Sequence, residues 1–184
     1  MLRIWQKTEK QKLEPVGMGT AFPFLKEKNH VVSIIGGGGK TTLLYEMAGF
    51  CVKNDQKVLV TTSTHIYRPP KGGHDQSLEA VERKFRTGRA AIIGSACRDP
   101  EKLSMPETEL FEAARKKADL TLIEADGARH LPCKAPAEHE PALLSSSDLV
   151  IGVTGLSALG QPLGKGCFRA ERAAELLGCT MEHH

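Results

Sequence analysis

The stretch HVVSIIGGGGKTTLLYEMAGFCV, from His30 to Val52, constrains the fold of this 184-residue chain more than any other part of it. Val31, Val32, Ile34 and Ile35 form a β-branched run cut off by glycine, the pattern of a short buried strand. After Lys40, the apolar residues Leu43, Leu44, Met47, Ala48, Cys51 and Val52 recur at helical spacing, and Asn54-Asp55 ends the pattern. Strand, glycine turn and helix in that order make the opening of a βαβ unit. Parallel strands need such a crossover, usually helical, to join them.

The alternation continues downstream. KVLVTT, AAIIG, ADLTLIEADG and SDLVIGVTG each contain a short apolar run bounded by turn residues and read as strands. Leu78, Val81 and Phe85 mark one helix, Leu110, Phe111 and Ala114 another, and FRAERAAELLG a last one, with Gly178 placed to cap it. This alternation predicts a mostly parallel sheet covered by helices on both faces. Ligands on such sheets sit at the carboxyl ends of the strands. The polar turns GGGGKTT, TTSTHI, EADGARH and VTGLSALG all follow predicted strands and so share that edge.

Composition narrows the partners. Charged residues make up 26% and the net charge is +3, with basic residues scattered among acidic ones, as in VERKFRTGR. Such mixing gives solvated helix faces and argues against nucleic acid. Five cysteines without a C-x-x-C spacing suggest neither a zinc site nor a disulfide framework and fit a reducing cytosol. MLRIWQKTEKQKLEP lacks the apolar core of a signal peptide, and no apolar run reaches the roughly 18 residues that span a membrane. The expectation is a cytoplasmic protein with no membrane and no nucleic-acid partner.

The glycine loop carries the chemistry. A loop between strand and helix wraps a phosphate with backbone N–H groups, and glycines permit the necessary φ values and close approach. Gly36, Gly37, Gly38 and Gly39 supply such a loop, Lys40 a mobile charge for the outer phosphates, and Thr41 a hydroxyl for Mg²⁺. Thr42 follows within reach of an inner phosphate. The expected fold is α/β, a three-layer P-loop NTPase-like domain over residues 30–178. A loosely structured or short-helical lead-in (1–29) precedes it and a short segment (179–184) follows.

The loop departs from the common G-x-x-x-x-G-K-[ST] spacing, whose first glycine falls on Ile34. Two variants fit. GGxGKTT resembles the deviant loop of ParA/MinD-type ATPases and matches Gly36–Thr42, although Ile35 stands where that form carries its signature lysine. The shorter GxxGKTT resembles the loops of Mur ligases and folylpolyglutamate synthetase. Both bind ATP, and only the second implies a carboxylate-to-amine ligase.

LTLIEADGARH ends an apolar strand with Glu124 and Asp126. A carboxylate at that place holds Mg²⁺ and orients a nucleophile. Lys40, Glu124 and Asp126 are therefore the expected catalytic residues, and Thr41, Glu124 and Asp126 the expected metal ligands. The two acids repel, so one pKa should rise unless a cation stands between them. Thr62, Thr64 and His65 can line the site, and Arg129 and Lys134, with His130, can bind substrate phosphate or neutralise the acids. Glu138, His139 and Glu140 read either as a solvated proline-rich loop or as metal ligands. VTGLSALG can contact a base or second substrate, but the chain has no Asn-Lys-x-Asp for guanine.

Taken with EADGARHLPCKAPAEHEP, these segments resemble the YqeC-type proteins, described as selenium-dependent molybdenum hydroxylase accessory proteins. The resemblance runs from about residue 20 to residue 180 and implies a nucleotide-binding protein, with ATP or another NTP and Mg²⁺ as cofactors. It also implies a molybdenum hydroxylase, or its cofactor, as partner. Two departures stand out: CFRAE replaces an expected His-Arg-Pro-Glu-like stretch, and the family is expected to continue past TMEHH. Three functions fit: an NTP-hydrolysing accessory protein, a small-molecule kinase or Mur-like ligase, and a non-catalytic nucleotide-binding scaffold.

Overall fold

The computed structural model describes residues 3–69 and 73–183. The lead-in is more ordered than expected. Ile4–Lys7 (β1) and Leu13–Val16 (β2) pair as an antiparallel hairpin, followed by the short helix Met18–Ala21 (α1) and the 3₁₀ turn Pro23–Lys26. The hairpin leaves Trp5 and Leu13 exposed, so no buried face imprints a period-2 pattern on its sequence. Leu25 anchors the 3₁₀ turn to the domain: its side chain is buried, and its carbonyl accepts from Gln56 Nε2 at 2.9 Å.

The domain then unfolds in βα order: His30–Gly36 (β3), Lys40–Lys53 (α2), Val58–Thr62 (β4), His65–Tyr67 (β5), Leu78–Arg86 (α3), Ala91–Ile92 (β6), Ser95–Ala96 (β7), Lys102–Ser104 (β8), Thr108–Arg115 (α4) and Leu120–Glu124 (β9). Cys133–Lys134 (β10), Leu149–Val153 (β11), Leu163–Gly166 (α5), Cys167–Phe168 (β12) and Ala170–Leu177 (α6) complete it. The central sheet is parallel in the order β11-β3-β9-β4-β6. All five strands read from the sequence are in it. Two smaller ladders, β5-β8-β7 and β10-β12, come from segments that did not read as strands; Phe168 of β12 opens FRAERAAELLG, read as helix, and that helix starts only at Ala170. Their strands are two or three residues long, too short to show a period.

Alternation along the strands builds two cores. Val32 and Ile34 of β3, Val58 and Val60 of β4, and Leu120 and Leu122 of β9 face one side, where Leu44, Met47, Ala48 and Cys51 of α2 cover them. Val31, Leu59 and Ile123 face the other side, against Val81 of α3 and Phe111 and Ala114 of α4. Each large side chain buried this way stabilises by about 1.5–3 kcal/mol. The result is the expected three-layer α/β arrangement. Among the described residues no helix is long and apolar enough to cross a membrane.

The strand order positions the site. β3 runs through α2 to β4, yet β9 lies between β3 and β4, with Glu124 in register with Ile34 on one side and Thr62 on the other. The end of β9 therefore emerges beside the glycine loop that ends β3.

Candidate functional site

The glycines of the loop answer two demands. Gly36, Gly38 and Gly39 have φ of 99°, 73° and 94°, the left-handed region that L side chains rarely adopt. A Cβ on Gly36 would lie 2.1 Å from the Val153 carbonyl oxygen, and one on Gly38 would lie 2.7 Å from Gly155 Cα. A Cβ on Gly37 would likewise lie 2.8 Å from the backbone of Leu131 and Cys133. The loop thus rests on two chain segments. Gly37 N–H donates to Val153 O at 2.8 Å, and Gly155 N–H donates to Pro132 O at 2.7 Å. Only Gly39 has open space at its Cβ position. It caps α2 with no side-chain partner, so the first-turn N–H groups of Lys40, Thr41 and Thr42 have no intrahelical acceptor.

The lysine and both acids converge on this turn. Lys40 is buried; its ammonium donates to Gly36 O at 2.6 Å and lies 3.2 Å from Asp126 Oδ1. Asp126 Oδ2 accepts from the Gly36 N–H at 3.0 Å and lies 3.2 Å from Lys134 Nζ. Thr41 Oγ1 donates to Glu124 Oε2 at 2.7 Å. The Glu124 carboxyl titrates above its ordinary range, first because it is buried; Thr41 and Lys40 pull it down, and Asp126 pushes it up. Desolvation therefore contributes more to the rise than repulsion between the two acids.

A cleft of about 600 Å³ opens in front of the loop. Gly38–Thr42 and Glu124 form one wall. The small sheet and its connections form another, with His65 and Tyr67 of β5, Arg98 and Lys102. Arg129 and His130, both at positive φ, close a third side. Tyr67 Oη and His130 Nε2 are 3.1 Å apart, joining two of these walls.

The predicted site residues divide into groups. Gly38, Gly39, Lys40, Thr41, Thr42, Glu124, His65 and Arg129 meet in the cleft. Thr62 is buried behind them, its hydroxyl donating to Glu124 O at 2.7 Å while it accepts the Thr64 N–H at 3.0 Å. Both threonines shape the end of β4. Lys134 is held between Asp126 and Glu140 and donates to Gly127 O at 2.7 Å, which leaves it built into the loop's support. Glu140 in turn binds Arg169. Gly155 of VTGLSALG packs behind the glycine loop against Pro132, and Leu156 and Leu159 are largely exposed. Tyr67, Arg98 and Lys102 were not expected in the site. For Arg98 the available signal was GSACRD, a polar turn after the strand AAIIG, in the same position as the four turns singled out.

Several of these groups can hold a Mg²⁺–nucleotide. Uncapped amides and Lys40 suit phosphate oxygens, and Thr41 with Glu124 presents a hydroxyl and a carboxylate together. Among the described residues no three His, Cys, Asp or Glu side chains gather to hold a metal. Mg²⁺ needs no such cluster where one or two carboxylates and substrate phosphates share it.

The family model described as "YqeC protein" matches residues 32–171, the span from β3 into α6. The chain belongs to the YqeC family. The resemblance drawn from EADGARHLPCKAPAEHEP is therefore sound, and that segment supplies Asp126, Lys134 and Glu140 around the loop. A curated YqeC relative, "Uncharacterized protein YqeC" of Escherichia coli (strain K12), is 30% identical over 82% of this chain. The chain spans about three fifths (61%) of that relative's length. No solved structure matches this chain.

Proposed function

We propose that the chain binds a nucleoside triphosphate, ATP foremost, with Mg²⁺ and hydrolyses it in support of selenium-dependent molybdenum hydroxylase maturation. The hydroxylase assignment rests on the family resemblance. The nucleotide assignment rests on one observation above the others: the 2.7 Å bond from Thr41 to Glu124 at a helix start that has Gly39 as N-cap and no side-chain cap. A hydroxyl from the helix and a carboxylate from the neighbouring strand are what a phosphate-bound Mg²⁺ requires.

In this reading the amides of Lys40, Thr41 and Thr42 orient the phosphates, and Lys40 neutralises their charge. Asp126 acts on Lys40 and the Gly36 N–H, holding the ammonium and the turn in place. Thr41 and Glu124 would hold Mg²⁺, and Glu124 is the group placed to orient a nucleophile. The bound Mg²⁺–nucleotide supplies an activated phosphoryl group. The protein contributes positioning and charge stabilisation. A kinase or ligase is the second reading, favoured by a cleft that extends past the loop to His65, Tyr67 and Arg98.

Titration of ATP, GTP and CTP with Mg²⁺, followed by assay for released phosphate or pyrophosphate, tests the proposal. Micromolar binding and slow phosphate release are expected. No binding of any of the three would overturn it, and pyrophosphate release would replace hydrolysis with nucleotidyl transfer.

A further inference from the structure

We infer that the cleft holds a second binding site, for a small molecule bearing a carboxylate or phosphate, with Arg98 and Arg129 as its recognition groups. As an acceptor site beside the phosphate loop it rests on the nucleotide reading above; as an oxyanion site it stands on its own residues.

The argument is one of charge pairing. Most cations around the cleft already have partners. Lys40 faces Asp126, Lys102 lies 3.2 Å from Asp99 Oδ2, Lys134 lies between Asp126 and Glu140, and Arg169 binds Glu140. Arg98 and Arg129 both line the cleft, and among the described residues neither forms an ion pair with a carboxylate. Of the acids in the cleft lining, Asp99 is taken by Lys102 and Glu124 by Thr41. The cleft lining therefore carries two guanidinium groups without a carboxylate partner, and such cations in a concave wall raise the local concentration of anions.

The type and setting of the residues agree. Guanidinium groups offer a planar fork that matches carboxylate and phosphate oxygens, where an ammonium offers only a point charge. The Arg129 guanidinium sits 5.1 Å from the Phe168 ring centroid, which supports it without neutralising it. Arg129 and His130 are consecutive non-glycine residues at φ of 48° and 64°, a disfavoured conformation that turns this segment along the cleft. Tyr67 and His130 add a ledge of two rings with centroids 5.9 Å apart, suited to a planar or apolar portion of the same ligand. His65 stands on the same wall.

The test uses two probes on the full chain at low ionic strength, citrate for the carboxylate class and glycerol phosphate for the phosphate class. Calorimetric titrations compare the unmodified protein, Lys40→Ala, Arg98→Ala/Arg129→Ala and, as a charge control, Arg86→Ala/Arg89→Ala. Each is titrated alone and after saturation with Mg²⁺ and a non-hydrolysable ATP analogue. At least one probe is expected to bind the unmodified protein, with affinity kept within about threefold in Lys40→Ala and in the charge control. Arg98→Ala/Arg129→Ala is expected to lose tenfold or more, and the probe that binds identifies the class. If neither probe binds, or if Lys40→Ala abolishes binding, there is no second site. If Arg98→Ala/Arg129→Ala lowers the analogue's affinity as strongly as the probe's, the arginines belong to the nucleotide and the inference fails. Should the analogue not bind the unmodified protein, the nucleotide reading falls, while the probe comparison still decides the oxyanion site.

Discussion

Thr41 on the first turn of α2 and Glu124 at the end of β9 are 83 residues apart in sequence and share a 2.7 Å hydrogen bond. The strand order brings them together, since β9 lies between β3 and β4. Thr41→Val and Glu124→Gln should each reduce Mg²⁺-dependent turnover far more than nucleotide affinity. Altering a single group that holds or orients a metal typically costs about 10–100-fold. Steady-state phosphate release against Mg²⁺ concentration reads this. Equal loss of nucleotide affinity in both variants would mean that the pair shapes the pocket and holds no metal.

Glu124 also sets a pH dependence. Its folded-state pKa is raised by burial, so its stability contribution is fully present below the unfolded pKa and is lost as pH rises through the folded value. Ionised Glu124 therefore costs stability at neutral pH. Glu124→Gln should melt higher than the unmodified protein at pH 7.5, with the difference shrinking as pH falls toward 4. Mg²⁺ binding needs the ionised form and should weaken over the same descent. Thermal melts with and without Mg²⁺ check both signs.

The glycines should separate cleanly. Gly36→Ala places a methyl 2.1 Å from a carbonyl oxygen at positive φ and should destabilise by more than about 3 kcal/mol, combining clash and strain. Gly39→Ala meets open space and carries only the conformational cost, about 1–2 kcal/mol. Urea unfolding of the two variants measures the gap. Equal destabilisation would contradict the packing described for the loop.

Lys134 is expected to act on stability. Its side chain is 2% exposed between Asp126 and Glu140. Lys134→Ala removes the cation the two carboxylates share, leaving Asp126 to Lys40 and Glu140 to Arg169, and should cost about 1.5–3 kcal/mol. A melting temperature unchanged by this substitution, together with loss of substrate binding, would restore Lys134 as a ligand-binding residue.

The legible parts of the fold were those where burial on both faces writes itself into sequence. β3, β4 and β9 are apolar runs of this kind, the edge strand β11 keeps an apolar run with only one face packed, and α2 repeats at helical spacing, so the three-layer sheet could be read directly. The β5-β8-β7 ladder could not, because strands of two or three residues carry no period and their partner residues are distant in sequence. The same limit hid Arg98 and Tyr67, whose place in the cleft depends on that ladder. For Lys134 the sequence left two roles open, substrate binding and neutralising the acids, and the structure shows it paired with Asp126. Sequence showed a cation near two acids but not the Glu140 contact that closes the cluster. The acidic pair was legible, yet its division of labour was not. β9 ends at Glu124, so alternation no longer fixes where Asp126 points, and it turns to Gly36 and two lysines.

The most direct test of the account is calorimetric titration of Mg²⁺-ATP into the unmodified protein and into Lys40→Ala. The account predicts saturable binding at a single site in the first and at least a hundredfold loss in the second. Undiminished affinity in Lys40→Ala would contradict it.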